Sequence, residues 1–321
     1  MYVVPEPVAA ELLTIDDAIA AVHEGFISLD ARKATVFPVS MGSGPDGMSR
    51  FGAKSGRIDG VALGVKVGTY WPQNAGRGIP AHGSTVLLLE EATGLPLAVV
   101  GASHLTALRT AAGNAVATRA LARPAAKSLL VIGTGHQAFY EAVAVSRVRK
   151  LDEVMVWGRN ESRAAELADK LRTAGLPARA ERLEMALGRA DLIATVTASH
   201  EALIDIPGVR PGTHISAMGS DTAGKQELGV ALVRAARLFA DVPSQSVTIG
   251  ELQHAVAQGL VAADSITPIG AVLSGRKPGR TRDDEITIFD SSGTAIQDLA
   301  VCSRALTLAL AAGRAITVPD Q

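Results

Sequence analysis

Three rhythms of apolar and polar positions divide this chain. Residues 5–30 read as a short first strand followed by a helix, in which Ile15, Ala18, Ile19, Val22 and Phe26 recur at helical spacing and Thr14 and Asp16 offer N-caps. From Thr35 to Val100 the pattern changes to short strand-like runs, "ATVFPV", "LGVKVGTYW", "STVLLLE" and "PLAVVG", separated by Gly, Pro, Asp and Asn. These predict an antiparallel or mixed sheet. Helical spacing returns in "SHLTALRTAAGNAVATRALA" through Leu105, Leu108, Ala112, Val116 and Leu121, with Ser103 or Thr106 placed to cap its start.

After Pro124 strands and helices alternate. "SLLVIG", "EVMVWG", a short strand near Ala178, "DLIATVT", "THISAMG" and "RLFAD" read as strands, with helices starting near His136 and Glu161. That alternation predicts an α/β fold with a doubly wound, Rossmann-type parallel sheet. The last part holds one more strand, "EITIFD", and the helix "TAIQDLAVCSRALTLALAAG", which is expected to pack back on the amino-terminal half. The expected division is 1–118, then a Rossmann domain over 119–293, then a returning helix over 294–321.

Composition narrows the function classes. With 47% hydrophobic and 20% charged residues and a formal net charge of −1, the chain has no bulk attraction for nucleic acid or an anionic membrane. No apolar run approaches a membrane span and no basic, apolar leader opens the sequence, so a cytoplasmic location is expected. The single cysteine, Cys302, rules out an internal disulfide framework, and the histidines do not fall at metal-ligand spacing, so no metal is expected. Neither a G-x-S-x-G elbow nor a Walker loop occurs.

The stretch "LLVIGTGHQAFYEA" carries the first chemical signal. Gly133-x-Gly135-x-x-Ala138 between a strand and a helix has the form of a dinucleotide fingerprint: a tight turn at the first glycine, close approach of backbone to a pyrophosphate at the second, and close helix packing at the third. His136 and Gln137 then offer backbone N–H groups and a positive helix end to phosphate. The second strand ends in Trp157-Gly158-Arg159-Asn160, where a reader of NAD usually carries Asp or Glu. Arg159 beside Gly158 favours the 2′-phosphate of NADP, with NAD still possible. The plainer alternative makes Arg159 a surface residue opening a helix.

Three cations sit in apolar or small-residue surroundings: Lys54 in "FGAKSG", Lys66 in "LGVKVGTYW" and Arg109 in "TALRTAA". An ammonium at Lys66 is costly there unless it faces a cleft or an anion, and Arg109 suits bidentate capture of a carboxylate or phosphate. Alternatively each pairs with a structural carboxylate such as Glu90 or Glu91. Asp221, in the glycine-rich loop of "SAMGSDTAGKQEL", falls at the carboxyl end of a strand, where open α/β sheets bind ligands; it is a candidate proton donor or acceptor, or else an Asx-turn residue.

Taken together, "LGVKVGTYWPQN", "GIPAHGSTVLLLEEATGLPLAVV", "LTALRTAAGNAVATRALARP", "VIGTGHQA", "TVTAS", "GTHISAMGSDTAGKQEL" and "ITIFDSSGTAIQDLA" resemble the ornithine cyclodeaminase/mu-crystallin family, over about residues 60–300. The resemblance implies a homodimer whose subunits pair a Rossmann domain with an α+β substrate-binding and dimerisation domain built from both termini. It implies that Lys66 and Arg109 contact the substrate carboxylate or the cofactor, and that Asp221 handles protons beside the nicotinamide. Thr110, Gly135, His136, Gln137, Thr195, Val196, Thr197, Met218, Gly219, Lys225 and Ser291 look like the family's cofactor contacts. Family members act on α-amino or α-imino acids with NAD or NADP.

Two departures bear on the substrate and cofactor. The arginine that cyclodeaminases place before the first central strands is missing from "ATVFPVSM", with Arg32, Lys33 or Arg50 as substitutes, and the acidic position of NAD users is Gly158. The expected activity is therefore NAD(P)H-dependent reduction of an α-imino acid, such as pyrroline-2-carboxylate or iminosuccinate, to the amino acid. Arg50 and Lys54, turned into the pocket, would accept a second carboxylate. The alternatives are an ornithine or lysine cyclodeaminase with tightly bound NAD, and a non-catalytic NADPH-binding protein.

Overall fold

The computed structural model of the protein describes residues 1–319. Its contacts divide the chain into Met1–Arg109 with Thr294–Gln321, and Thr110–Gly293. The division falls inside the helix Ser103–Leu121, earlier than the expected 118/119.

The first unit is a mixed sheet in the order Ile316–Thr317, Tyr2–Val4, Pro96–Gly101, His82–Leu89, Ala62–Tyr70, Arg50–Ile58, Ala34–Val36, with Ser40–Ser43 also paired to Arg50–Ile58. All neighbours are antiparallel except Tyr2–Val4 on Pro96–Gly101. The helix Ala295–Ala311 packs on the sheet of this unit and on the helix Ile15–Asp30. Gly25 admits it closely, since a Cβ there would stand 3.1 Å from Ile296 Cγ2.

Three local details differ from the sequence reading. Residues preceding Thr14 form a separate short helix, Glu6–Leu12, with Pro7 in its first turn where a missing N–H costs nothing. Thr14 is the N-cap of the next helix through a reciprocal pair with Asp17; Asp16 lies within the helix. Neither Ser103 nor Thr106 caps the helix Ser103–Leu121: the Glu6 carboxylate accepts from the Ser103 and His104 N–H groups, while the Thr106 hydroxyl donates to the carbonyl of Ala102, the residue before the helix.

The second unit holds eight parallel strands in the order Ala178–Ala180, Glu153–Trp157, Ser128–Ile132, Leu192–Thr195, His214–Ala217, Thr287–Asp290, Arg237–Ala240, Thr267–Pro268. Successive residues of Ser128–Ile132 enter different cores, Leu129 and Val131 on one face and Leu130 and Ile132 on the other. A parallel strand buried on both faces reads as a continuous apolar run, which is why this half was legible. Strand order reverses between Ser128–Ile132 and Leu192–Thr195, the switch point at whose carboxyl edge such sheets receive ligands. A small parallel pair, His200–Ile204 with Gln226–Leu228, adjoins that edge.

Candidate functional site

In the second unit, the turn after Ser128–Ile132 has the features a pyrophosphate needs. Gly133 has φ +130°, and a Cβ there would lie 2.6 Å from the Val196 carbonyl oxygen, so no side chain fits. At Gly135 a Cβ would meet nothing within 4 Å. Protein packing does not require glycine at that position; an open approach to the backbone does. Gly135 begins the helix His136–Val148 with no side-chain cap, leaving its positive end for an anion, and Ala138 is fully buried where the helix meets the sheet. The residues present thus fit a dinucleotide.

The end of Glu153–Trp157 is more constrained than its sequence suggested. A Cβ on Gly158 would stand 2.6 Å from Thr134 Cγ2, so packing against Thr134 is itself a reason for glycine there. Arg159 is exposed. Asn160 spends its side-chain oxygen capping the helix Glu161–Thr173, accepting from the Arg163 N–H at 3.1 Å and the Ser162 hydroxyl at 2.8 Å.

Other expected cofactor contacts gather at the carboxyl edge, but several use their side chains internally. The Thr195 hydroxyl donates to Glu227 at 2.7 Å, the Thr197 N–H to the same carboxylate at 2.6 Å, and the Gly219 N–H at 3.0 Å. The Val196 N–H donates to the Ile132 carbonyl while its own carbonyl oxygen packs against Gly133, and the Met218 N–H donates to the Thr195 carbonyl. The Ser291 hydroxyl donates to Asp241 and the Gln137 amide to Glu141. His136 is exposed and Thr110 half-buried. Asp221 is exposed, held by Lys225 Nζ at 2.6 Å; that ammonium also donates to the Gly219 carbonyl.

In the first unit, Lys66 and Arg109 converge on a carboxylate the sequence reading did not single out. Lys66 Nζ and Arg109 Nε both donate to Asp298 Oδ1, at 3.0 and 2.9 Å, and all three side chains are buried. The expected partners Glu90 and Glu91 bind Thr93 and the Gly60 N–H instead. Burial lowers the Lys66 ammonium to about 8, with the Asp298 charge opposing and the Arg109 and Lys54 charges adding to the fall. Burial raises Asp298, yet Arg109 and Lys66 more than offset this and hold it below the ordinary carboxylate range. Two cations on one carboxylate leave a net positive cluster, the sign that captures an anionic substrate.

Lys54 stands directly opposite Lys66 in the strand register, so the two share one face of the sheet with Cβ atoms about 5 Å apart. Arg50 is on the same face but opposite Tyr70, roughly 13 Å further along the strand, and donates to the Gly47 and Ser49 carbonyls. The register therefore joins Lys54 to Lys66 and leaves Arg50 apart. Among the described residues no group of three or more His, Cys, Asp or Glu side chains is placed to hold a metal, and no helix is long and apolar enough to cross a membrane.

A model of the ornithine cyclodeaminase/mu-crystallin family matches residues 7–306. The chain is 42% identical to the iminosuccinate reductase of Paracoccus denitrificans (strain Pd 1222) over 96% of its length and 97% of that protein's. The crystal structure of the Paracoccus denitrificans reductase in complex with NAD+ superposes with a TM-score of 0.93, covering 100% of this chain and 99% of that one. An archaeal alanine dehydrogenase dimer with bound NAD, 32% identical, gives a TM-score of 0.93 over 99% of both chains. The Thermococcus litoralis Delta(1)-pyrroline-2-carboxylate reductase, in complex with NADH and L-proline and 27% identical, gives 0.93 over 99% of this chain and 100% of that one.

Proposed function

Because this chain belongs to the ornithine cyclodeaminase/mu-crystallin family, we propose that it is an NAD(P)H-dependent reductase that converts an α-imino dicarboxylic acid of the iminosuccinate kind to the amino acid. The observation that carries the dicarboxylate is the register of Lys54 opposite Lys66, which sets a third cation beside the Lys66, Arg109 and Asp298 cluster. The 42% identity to an iminosuccinate reductase points the same way.

Within this reading Lys66 and Arg109 hold the α-carboxylate and so orient the C=N carbon, and Lys54 holds the distal carboxylate. The reduced nicotinamide, when bound, supplies hydride to that carbon. Asp221, fixed by Lys225, stabilises the protonated imine nitrogen, which makes the carbon a better hydride acceptor. Gly133, Gly135, His136 and Gln137 receive the pyrophosphate through backbone groups.

We assign NADPH as the preferred reductant, with NADH also accepted. Since Thr134 already accounts for the glycine at 158, the preference rests on the Arg159 guanidinium rather than on the missing acid. We also propose a homodimer formed through the sheet face of the first unit that carries Phe51 and Val67, 46% and 43% exposed. A cytoplasmic location suits an enzyme drawing on soluble NAD(P)H.

The test is NAD(P)H oxidation by the purified protein with oxaloacetate plus ammonia, against pyrroline-2-carboxylate and pyruvate plus ammonia. Fastest turnover with oxaloacetate plus ammonia, yielding aspartate, supports the proposal; a preference for the cyclic imine would remove the role given to Lys54.

A further inference from the structure

Two carboxyl groups lie beneath the edge at which the cofactor is placed, and neither has a part in binding or hydride transfer as described above. Glu227 comes from the small strand pair, is fully buried, and accepts three hydrogen bonds: from the Thr195 hydroxyl, the Thr197 N–H and the Gly219 N–H. Its donors lie on two separate turns, those leaving the neighbouring parallel strands Leu192–Thr195 and His214–Ala217. The fit is tight, for a Cβ on Gly219 would stand 2.3 Å from the Thr197 carbonyl oxygen and 2.6 Å from the Glu227 carboxyl. Beneath it, Glu251 accepts from the Glu227 and Leu228 N–H groups and from the Ser220 hydroxyl, the residue just before Asp221.

Burying two acids this close together is expensive, and apolar side chains of the same volume usually stabilise a fold as well or better. Burial, joined by the charge of Glu227, pushes Glu251 up to about 8, so that Glu251 is mainly neutral near pH 7. A carboxylate that meets three donors at fixed positions specifies geometry in a way that an apolar contact does not.

We propose that Glu227 is a positioning residue: its carboxylate ties the turn after Leu192–Thr195 to the turn after His214–Ala217, and so fixes the backbone that meets the dinucleotide together with the loop that presents Asp221. The inference rests on the reading that these turns receive NAD(P)H. Glu227 acts through the backbone it holds and touches neither substrate nor cofactor.

The test uses the full-length protein and the variant Glu227→Gln, whose amide nitrogen would face donors where the carboxylate now accepts. NADH and NADPH are titrated by fluorescence, kcat and KM are measured with oxaloacetate plus ammonia, and thermal unfolding is followed in parallel. The expected result is a Kd for both dinucleotides raised about ten-fold or more and a lower kcat at saturating cofactor, with KM for the imine changed less than about three-fold, because its carboxylate contacts lie elsewhere. A lower Tm with Kd and kcat unchanged would overturn the inference by making Glu227 merely structural. If Glu227→Gln does not fold, Thr195→Val, which deletes one donor at constant volume, is expected to raise the dinucleotide Kd by about three-fold, and an unchanged Kd overturns the proposal. Wild-type protein that binds no dinucleotide would instead overturn the functional reading, and this inference with it.

Discussion

Asp298 shows what a single residue contributes here. Lys66 and Arg109 were legible in the sequence because cations in apolar surroundings need a reason. Their shared partner was not, since it lies 232 residues from Lys66 and reaches it only through the returning helix. Replacing Asp298 by Asn leaves two buried cations without a counter-charge. Such a loss costs about 3–5 kcal/mol, to be read from denaturant unfolding, and activity is expected to fall with it. The Lys66 ammonium has its own signature. Carboxylate capture needs the charged form, which is present below about 8 and lost as pH rises through that value. KM for the imine is therefore expected to climb on the alkaline side in the wild type and to stay flat in Lys66→Arg, whose guanidinium remains charged. A flat wild-type profile would remove Lys66 from substrate binding.

At the scale of elements, the parallel strands of the Rossmann unit and the helices at His136 and Glu161 could be read directly, because both strand faces are apolar and the glycine turn punctuates them. The strand Arg50–Ile58 was missed. Gly52 and Gly56 erase its alternation, and each is imposed by a neighbour unseen in sequence: Met41 Sδ would lie 2.3 Å from a Cβ on Gly52, and the Thr35 carbonyl 2.7 Å from one on Gly56. A similar contact constrains the residue at the end of Glu153–Trp157, where Thr134 packs against Gly158. Gly158→Asp alone is expected to clash with Thr134 and to lose binding of both dinucleotides. Combined with Thr134→Ala, it gives the ribose hydroxyl an acceptor and repels the 2′-phosphate, shifting the NADPH to NADH ratio of kcat/KM by about ten-fold or more toward NADH. Steady-state kinetics with both cofactors decide this, and an unchanged ratio in the double variant would place the 2′-position elsewhere.

Across the whole molecule, the return of the terminal helix to the amino-terminal half was legible because that helix has no alternating strand of its own, whereas the unit boundary at Arg109 lies inside a continuous helix and leaves no mark in composition. The first unit covers one sheet face with its own helices and leaves Phe51 and Val67 on the other. Sedimentation velocity is expected to find a dimer, and Val67→Asp a monomer, since a charge at the centre of an apolar interface is poorly tolerated. A wild-type monomer would contradict the proposed use of that face.

The central claim is that the Gly133 turn holds a reduced dinucleotide which this chain uses on an imine. It is tested most directly by following NAD(P)H consumption together with amino-acid formation from oxaloacetate and ammonia. Equal amounts of cofactor oxidised and aspartate formed, with both abolished in Gly133→Val, are the predicted result. Release of ammonia from ornithine without added reductant, and no NAD(P)H consumed with any imine, would contradict it.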